Sequence, residues 1–520
     1  MISNYFISIA KTSSQKNDIA IARKIAAANA GIDDIKFNKI IAPLEGIYLI
    51  ADHLRTLVFA ISDGALPSNV GGGYNLRMIL RRTVATMDRF GWNFDLKELV
   101  DMHIDYLKST YPELEQTRED VKTIVGIERE RYNESKTRMK SIASTLKNQP
   151  KKLTVDDLIR LYESDGITPD FLKEAQIISD IPPTFYERLS DLHQSEKQEK
   201  KEDLDVKGIP ETDLLYYKQD PEEFEAKILK VIKNKLVVLD RTSFYPRGGG
   251  QEPDHGKIGT FDVIDVNKHG NVVVHEIKDG TPREGETVRC AIDVSRRYGI
   301  TRNHTSTHVL NASARKTLGT WIWQHSAFKE KDYGRLDITH HSNLTEDDIM
   351  KIEDLANFTI RRDIPIMINE LERGHAEQKY GFRIYQGGVV PVKLVRIVNI
   401  EGYDVEACGG THVKKTGEIG LIKITKAERI QDGVVRMEFV SGVTAIKYTQ
   451  NQDKKISQIV KLLGSSKEKI MESFEHSMKD NDSSKKKLKQ LIKRVSEPTA
   501  KKRNLSGKKP WQGKTILYNR

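Results

Sequence analysis

The sequence predicts an α+β multidomain protein in which helical regions flank a region rich in β-strands. Three observations support this fold class. Apolar residues recur at helical spacing as far as residue 205, β-branched runs separated by Gly, Asn and Asp begin near residue 207, and both patterns mix after residue 298. With 520 residues, of which 38% are hydrophobic and 30% charged, the chain can build several cores.

The first region, residues 1–205, is predicted to be helical. Segments 20–30 and 44–62 have apolar residues spaced by three and four, and 74–91 resumes this spacing after the turn DGALPSNVGGG. No clear β-run follows before residues 186–205, whose charge indicates a linker or a helix end.

Residues 206–298 are predicted to form a small antiparallel β-barrel, because β-branched runs alternate there with turn residues. Residues 299–450 are predicted to form an α/β domain. Its expected elements are a helix at 301–318, a strand near 334–340, a helix at 345–362 and a strand near 392–400.

The last region, residues 451–520, is predicted to be a helical or disordered basic tail. It holds 19 Lys and Arg against 7 Asp and Glu, whereas the whole chain holds 84 against 74, so the positive excess belongs to the tail. Such a segment suits a phosphate backbone, with salt-sensitive affinity. A solvated helix face followed by a disordered end is the alternative.

Cysteine and apolar content restrict the cellular context. The chain has two cysteines, Cys290 and Cys408, which excludes a disulfide-stapled fold and favours a reducing cytoplasm. It has no apolar run long enough to cross a membrane, and its N-terminus is too polar after Ala10 for a signal peptide. We therefore expect a cytoplasmic protein without a membrane partner.

Two short motifs indicate a metal site. His304 and His308 lie in HTSTH, where the i, i+4 spacing puts both imidazoles on one helix face. Cys408 and His412 lie in CGGTH, where two glycines let the backbone wrap tightly. One thiolate and three neutral imidazoles form a tetrahedral set for Zn²⁺. HTSTH lacks the glutamate of HExxH, which disfavours a metalloprotease. Two ordinary helix histidines and a buried thiol are the alternative.

A glycine-rich loop, FYPRGGGQEPDHG, contains Gly248, Gly249 and Gly250. Three glycines allow positive φ and close approach of a backbone or a sugar. The loop is not a nucleotide P-loop, since no GK[ST] follows. A wide hairpin turn is the alternative.

A third feature is the helix that contains Arg77 and Arg81, which share a face by i, i+4 spacing. With Asn69 in the preceding turn, this face is suited to a phosphate backbone and a groove edge. Surface arginines over a helical core are the alternative.

Together these motifs resemble those of archaeal-type alanyl-tRNA synthetases. ADHLRTLVFAISDGALPSNVGGGYNLRMILRR resembles the signature that follows the catalytic domain in that family. FYPRGGGQEPDHG, NHTSTH and VEACGGTH resemble three signatures of its editing domain. The resemblance extends from about residue 42 to about residue 465, with the motifs in the family order.

The resemblance implies a helical tRNA-recognition domain that reads a G·U wobble pair in the acceptor stem of tRNA(Ala). Asn69 matches a motif asparagine of that domain, and RLYESDG resembles a second element, with Glu163 or Asp165 as its acidic residue. An α/β editing domain with a zinc site is implied at residues 299–450, after the barrel. The implied ligands are His304, His308, Cys408 and His412.

The resemblance also implies that Thr305 and Gln324 line an editing pocket that hydrolyses seryl- and glycyl-tRNA(Ala). A second site of this kind is needed because an alanine pocket rejects glycine and serine too weakly. A hydroxyl and an amide could read the serine side chain, and the zinc would position or polarise the ester.

The expected departure from the family lies at the N-terminus. Residues 1–41 contain no motif for activating alanine with ATP, so we expect a chain that lacks the class II catalytic domain. ATP would then enter only through a separate catalytic subunit, or the gene is truncated. A non-catalytic tRNA-binding scaffold with a structural zinc is the alternative function, and the long helical region disfavours a freestanding deacylase.

Overall fold

The computed structural model describes residues 16–496. The exceptions are residues 70, 149–152, 166, 168, 183, 186–187, 189–203, 205, 219–220, 387 and 389–391. The chain divides into two compact units, Met1–Thr444 and Ala445–Arg520, which are described separately. Most of the predicted linker at 186–205 lies outside the described residues.

The first unit begins with helices. Their bounds are α1 Lys16–Ala30, α2 Asp34–Ser62, α3 Gly71–Phe90, α4 Leu96–Leu107, α5 Glu113–Gln116, α6 Arg118–Asn148, α7 Val155–Asp165 and α8 Pro169–Glu174. The predicted helices are confirmed, although α2 begins ten residues earlier than its apolar spacing indicates. Asp33 explains that start, because its side chain accepts a hydrogen bond from the Lys36 amide at 2.8 Å and caps the helix.

A closed antiparallel barrel follows. Its strands, in the order in which they pair, are β2 Glu223–Ile232, β3 Leu236–Leu239, β7 Val272–Ile277, β6 Phe261–His269, β5 Gly256–Ile258 and β8 Thr287–Ile292. Along the first half of β2, buried residues alternate with exposed ones, as expected when one face fills a barrel interior. Two short strands, β1 Asp213–Leu214 and β4 Arg241–Thr242, pair in parallel beside the barrel.

The described residues of the α/β region form two antiparallel sheets and three α-helices. The larger sheet has the order β14 Ile422–Gln431, β15 Val434–Ser441, β10 Gly334–Thr339, β9 Gln324–Lys329. The smaller sheet has the order β11 Ile366–Glu372, β12 Leu394–Ile400, β13 Asp404–Ala407. The helices are α9 Val294–Leu318, α10 Glu346–Arg361 and α11 Arg373–Tyr380. The predicted mixture of helices and antiparallel sheets is confirmed.

One hydrophobic core joins the helical region to the α/β region. A single cluster of buried apolar side chains includes Leu54 and Val84 from α2 and α3, and Leu310 and Met437 from α9 and β15. The barrel has a core of its own around Val237 and Ile258. The helical and α/β regions are therefore packed together, and side chains of one contact those of the other.

The second unit contains most of α12 Gly442–Leu463 and all of α13 Ile470–Ser496. This tail was predicted to be helical or disordered, and its described residues form helices on both sides of a turn. The chain turns at Gly464, whose φ of +58° is typical of a glycine that ends a helix. The basic residues after Ser496 lie outside the described part of the chain.

Among the described residues, no helix combines the length and the apolar character that crossing a membrane requires.

Candidate metal centre

Helix α9 supplies the first two predicted ligands. Asp293 caps the helix by accepting a hydrogen bond from the Arg296 amide at 3.0 Å. His304 and His308 lie one turn apart on its buried face, and their ring centroids are 5.5 Å apart. The spacing of HTSTH therefore places both imidazoles together, as predicted.

The CGGTH loop supplies the other two. Cys408 directly follows β13, and the loop folds back over α9. A Cβ on Gly410 would lie 1.9 Å from Cε1 of His304, so only glycine allows this approach. Arg396 donates hydrogen bonds to the carbonyl oxygens of Cys408 and Gly410, at 2.7 and 3.0 Å, and fixes the loop.

The four predicted donors meet in one cluster. One ligand atom from each of His304, His308, Cys408 and His412 lies within 4.8 Å of the others. Cys408 Sγ and His304 Nε2 are 3.2 Å apart, close to the separation of two donors on one tetrahedral Zn²⁺. Nε2 of His412 is buried and has no hydrogen-bond partner among the described residues. Both observations fit a bound metal ion.

Gln251 fixes the tautomer of His304. Its Oε1 accepts a hydrogen bond from the Thr411 amide at 3.1 Å, which identifies that atom as the oxygen. The same oxygen lies 2.6 Å from Nδ1 of His304, so Nδ1 carries the proton and Nε2 keeps a lone pair for a metal. Gln251 directly follows the three glycines of the barrel loop and was not predicted to belong to the metal centre.

Thr305 has the corresponding relation to His412. Its hydroxyl donates to the Thr301 carbonyl at 3.0 Å, so it can only accept from Nδ1 of His412, 3.3 Å away. The amide of Val413 also donates to this hydroxyl, at 3.2 Å. Thr305 is fully buried behind the imidazole. Its predicted role in lining a substrate pocket stays a prediction.

Two buried carboxylates lie behind His308. Glu406 Oε2 is 3.2 Å from Nδ1 of His308, and Asp404 is 3.9 Å from it. Burial, together with the neighbouring Glu406, raises the pKa of Asp404 to about 7, and burial also raises the pKa of Glu406. The amide of Asn311 donates to Glu406 at 2.8 Å. These acids, too, were not predicted.

The environment of the cluster favours metal-binding protonation states. Burial holds the pKa of His304 and of His412 well below the ordinary value. Burial alone would raise the pKa of the Cys408 thiol, but His308, Lys329 and the Gly410 amide outweigh it, so this pKa is lowered. Neutral imidazoles and a thiolate are the forms that bind Zn²⁺.

The glycine loop lies directly beside the cluster. A Cβ on Gly250 would lie 1.9 Å from the Ala327 carbonyl oxygen, so the loop and β9 approach as only glycine allows. The buried ammonium of Lys329 donates to the Gly249 carbonyl at 2.9 Å, and burial lowers the pKa of Lys329. Gly248 pairs with Gln251 through two backbone hydrogen bonds. Contacts of the three glycines with RNA stay a prediction.

Gln324 begins β9 and is half-buried. The backbone N–H of Gln324 donates to Oε1 of Gln386 at 2.9 Å, and the side chain of Asn311 donates to the same oxygen at 3.2 Å. Asn311 also donates a hydrogen bond to Glu406, which links these residues to the metal cluster. Gln324 is therefore linked to the cluster through neighbours, and its pocket role stays a prediction.

The other residues predicted to contact tRNA lie in the helical region. The surface position expected for Arg77 is wrong, because its guanidinium is buried and paired with Glu128 and Asp432. Arg81 is half-buried, and its burial together with Arg77 lowers its pKa. Glu163 and Asp165 belong to the last turn of α7, and their side chains lie outside what the structure describes.

Known proteins match this chain over most of its length. A family model described as tRNA synthetases class II (A) matches residues 1–296, and one described as threonyl and alanyl tRNA synthetase second additional domain matches residues 395–438. The chain therefore belongs to the class II aminoacyl-tRNA synthetases, within the alanine–tRNA ligase family.

Archaeal relatives bear out the archaeal-type resemblance. An alanine–tRNA ligase of Nitrosopumilus maritimus (strain SCM1) is 60% identical over 453 residues, covering 87% of this chain and 51% of the relative. One of Korarchaeum cryptofilum (strain OPF8) is 40% identical over 504 residues, covering 94% and 56%. The chain thus spans about half the length of these curated relatives.

The class II match corrects two expectations. The resemblance was expected to begin near residue 42 and the class II catalytic domain to be lacking, but the class II model matches from residue 1. Both expectations are contradicted by that match.

Proposed function

We propose that this chain binds tRNA(Ala) and hydrolyses seryl- and glycyl-tRNA(Ala) at the metal centre. The observation that carries the proposal is the cluster of three imidazoles and one thiol, whose ligand atoms all lie within 4.8 Å of one another. Nδ1 of His304 faces Gln251, Nδ1 of His412 faces Thr305, and Nδ1 of His308 lies 3.2 Å from Glu406. Membership of the alanine–tRNA ligase family supports the substrate.

His304, His308, Cys408 and His412 would hold a zinc ion, which supplies a Lewis acid that can position or polarise the ester. Gln251 and Thr305 keep the protons of His304 and His412 on Nδ1, so that both rings present Nε2 to the metal. Four protein donors leave no open position for water, so we favour positioning of the ester over direct attack by a metal-bound group.

The remaining residues of the proposed mechanism select the amino acid and hold the tRNA. Gln324 is proposed to favour serine over alanine, because a buried polar group stays unsatisfied when the substrate lacks a hydroxyl. Thr305, whose hydroxyl is already bonded to Thr301, His412 and Val413, is proposed to act by orienting His412. The turn that carries Asn69, with Glu163 or Asp165, is proposed to contact the G·U pair. Gly248, Gly249 and Gly250 are proposed to approach the terminal nucleotide, and Arg81 a phosphate.

Hydrolysis of seryl-tRNA(Ala) by the purified full chain tests the proposal, with alanyl-tRNA(Ala) as the spared substrate. Cys408→Ser should abolish hydrolysis and metal retention together. Cys290→Ser is the matched control, since this thiol is buried in the barrel, where burial raises its pKa to about 12. Binding of tRNA without turnover by the wild-type chain would instead support a scaffold with a structural zinc.

A contribution to ATP-dependent ligation of alanine to tRNA is a second proposal, supported by the class II match over residues 1–296. Alanine-dependent exchange of pyrophosphate into ATP measures this step. Exchange by the chain alone would exclude the need for a separate catalytic subunit. Exchange that appears only when a second protein is added would support one.

A further inference from the structure

Arg77 is buried among carboxylates between the helical and α/β regions. Its Nε and Nη2 donate to the carboxylate of Glu128 at 2.8 and 2.7 Å, and Nη1 also pairs with Asp432. Nη2 further donates to the Pro67 carbonyl at 3.2 Å. Only 5% of the residue is exposed, so it is not available to a phosphate.

The same guanidinium sets the orientation of Asn69. Nη1 of Arg77 donates to Oδ1 of Asn69 at 2.6 Å. A guanidinium has no acceptor atom, so the amide oxygen must face it and the NH₂ group must point the other way. Asn69 is half-buried, and among the described residues its NH₂ group has no hydrogen-bond partner. Asn69 therefore presents donors outward.

Asp432 belongs to the α/β region, in the turn between β14 and β15, and lies 355 residues from Arg77. The neighbouring Gly433 packs against the turn before Asn69, since a Cβ there would lie 3.2 Å from the Cβ of Ser68. The tip of this hairpin thus supports the Asn69 turn through both an ion pair and direct packing.

We propose that Arg77 and Asp432 are positioning residues that fix Asn69 with its NH₂ group toward the acceptor stem. The hairpin of the α/β region would then control base recognition by the helical region. The inference rests on the proposed function, in which the Asn69 turn contacts the acceptor stem. An outward donor suits an acceptor atom on a base edge in the wide, shallow minor groove of an RNA helix.

Binding of the full chain to two labelled acceptor-stem RNA hairpins, identical except that one has the G·U pair and the other G·C, tests the inference by fluorescence anisotropy. The wild-type chain should prefer the G·U hairpin, and Asn69→Ala should abolish the preference. Asn69→Asp should abolish it too, because it keeps an oxygen toward Arg77 but has no donor to present outward.

The positioning role is tested by Asp432→Asn and Arg77→Lys, which should lower the preference by about tenfold, the usual scale of one base-edge contact. Arg436→Lys is the matched control, because Arg436 lies in the same hairpin and pairs with the buried Asp337 at 2.8 and 2.9 Å. It should keep the preference. A purely structural role would weaken binding of both hairpins equally. Melting temperature and metal content identify folded variants.

The outcomes separate the two ideas. If both Asn69 variants lose the preference while a folded Asp432→Asn chain keeps it, the positioning role is wrong and the recognition role stands. If the wild-type chain shows no preference, or Asn69→Ala keeps it, the recognition role fails and the inference fails with it.

Discussion

Oε1 of Gln251 lies 2.6 Å from Nδ1 of His304, so a residue of the barrel holds a residue of the metal centre. The interaction explains why the glycine loop ends in glutamine, because Gly250 lets the chain pass β9 closely enough for the next side chain to reach the imidazole. The barrel therefore contributes directly to the chemistry of the α/β region.

Replacing Gln251 should weaken metal binding without removing a ligand. Gln251→Ala leaves Nδ1 of His304 without its acceptor, and losses of this kind lower metal affinity about 10- to 100-fold. Gln251→Glu keeps an acceptor oxygen and should bind metal more tightly than the alanine variant. Zn²⁺ affinity is measured by competition with a chromophoric chelator. Equal affinities of the wild-type and alanine chains would contradict the assigned hydrogen bond.

The four donors could be predicted from the sequence, whereas the residues that orient them could not. His304 and His308 show their role by helical spacing, and Cys408 and His412 by the two glycines of CGGTH between them. Gln251 lies 53 residues from His304, and Glu406 lies 98 residues from His308. A single Gln or Glu forms no sequence motif, so its contact with a residue so distant in the chain cannot be predicted.

The same limit applies to Arg77. Its i, i+4 spacing with Arg81 is typical of an exposed helix face, and the sequence does not reveal that Glu128 and Asp432 reach it from 51 and 355 residues away. The start of α10 was more accessible because Thr345 caps it locally, whereas α2, capped by Asp33, begins ten residues before the predicted start. Local rules thus predicted the elements, and tertiary contacts decided which polar residues are buried.

Replacing Gly250 by alanine should affect metal affinity, whereas replacing Gly249 by alanine should not. Both have positive φ, +72° and +57°, so each substitution costs about 1–2 kcal/mol of backbone strain. Only at Gly250 would the new Cβ also meet a backbone oxygen, that of Ala327, at 1.9 Å; at Gly249 nothing lies within 4 Å. Gly250→Ala should therefore displace Gln251 and lower metal affinity, and Gly249→Ala should not.

Chelator competition and thermal unfolding measure both effects. A lower melting temperature for both variants, with loss of metal affinity confined to Gly250→Ala, is the expected result. Equal metal affinity of the two variants would show that the close passage of β9 does not position Gln251.

The stability of the barrel should fall as the pH drops from 7 to 4. His275 is buried, with Thr242 Oγ1 2.8 Å from Nε2 and the Val237 carbonyl 3.0 Å from Nδ1. Burial lowers the pKa of His275 from its ordinary 6.5 to about 4. Between these values the unfolded chain binds a proton that the folded chain does not, so about 3 kcal/mol of stability is lost across this window.

Hydrogen–deuterium exchange of β3 and β7 peptides at pH 7 and pH 5, corrected for the intrinsic pH dependence of exchange, follows this change. Faster opening at pH 5 is expected in the wild-type chain and a smaller pH effect in His275→Gln. His269→Gln, at the end of β6, is the matched histidine control and should behave like the wild type. A pH effect of equal size in His275→Gln would assign it to another group.

The lysines of α13 should determine how strongly tRNA binding depends on salt. Lys485, Lys486, Lys487 and Lys489 are exposed, and replacing all four by Gln should lower the slope of log affinity against log salt by up to about 3.6, since each phosphate contact contributes about 0.9. A control chain has four exposed lysines of the first unit replaced by Gln, namely Lys257, Lys278, Lys351 and Lys379. Affinity for tRNA(Ala) is measured from 50 to 300 mM salt. The slope of log affinity against log salt should differ from that of the wild-type chain only in the first variant, because counterion release depends on the lysines that contact phosphates and not on total charge. Equal slopes in the two variants would show that these lysines form a solvated helix face and do not contact phosphates.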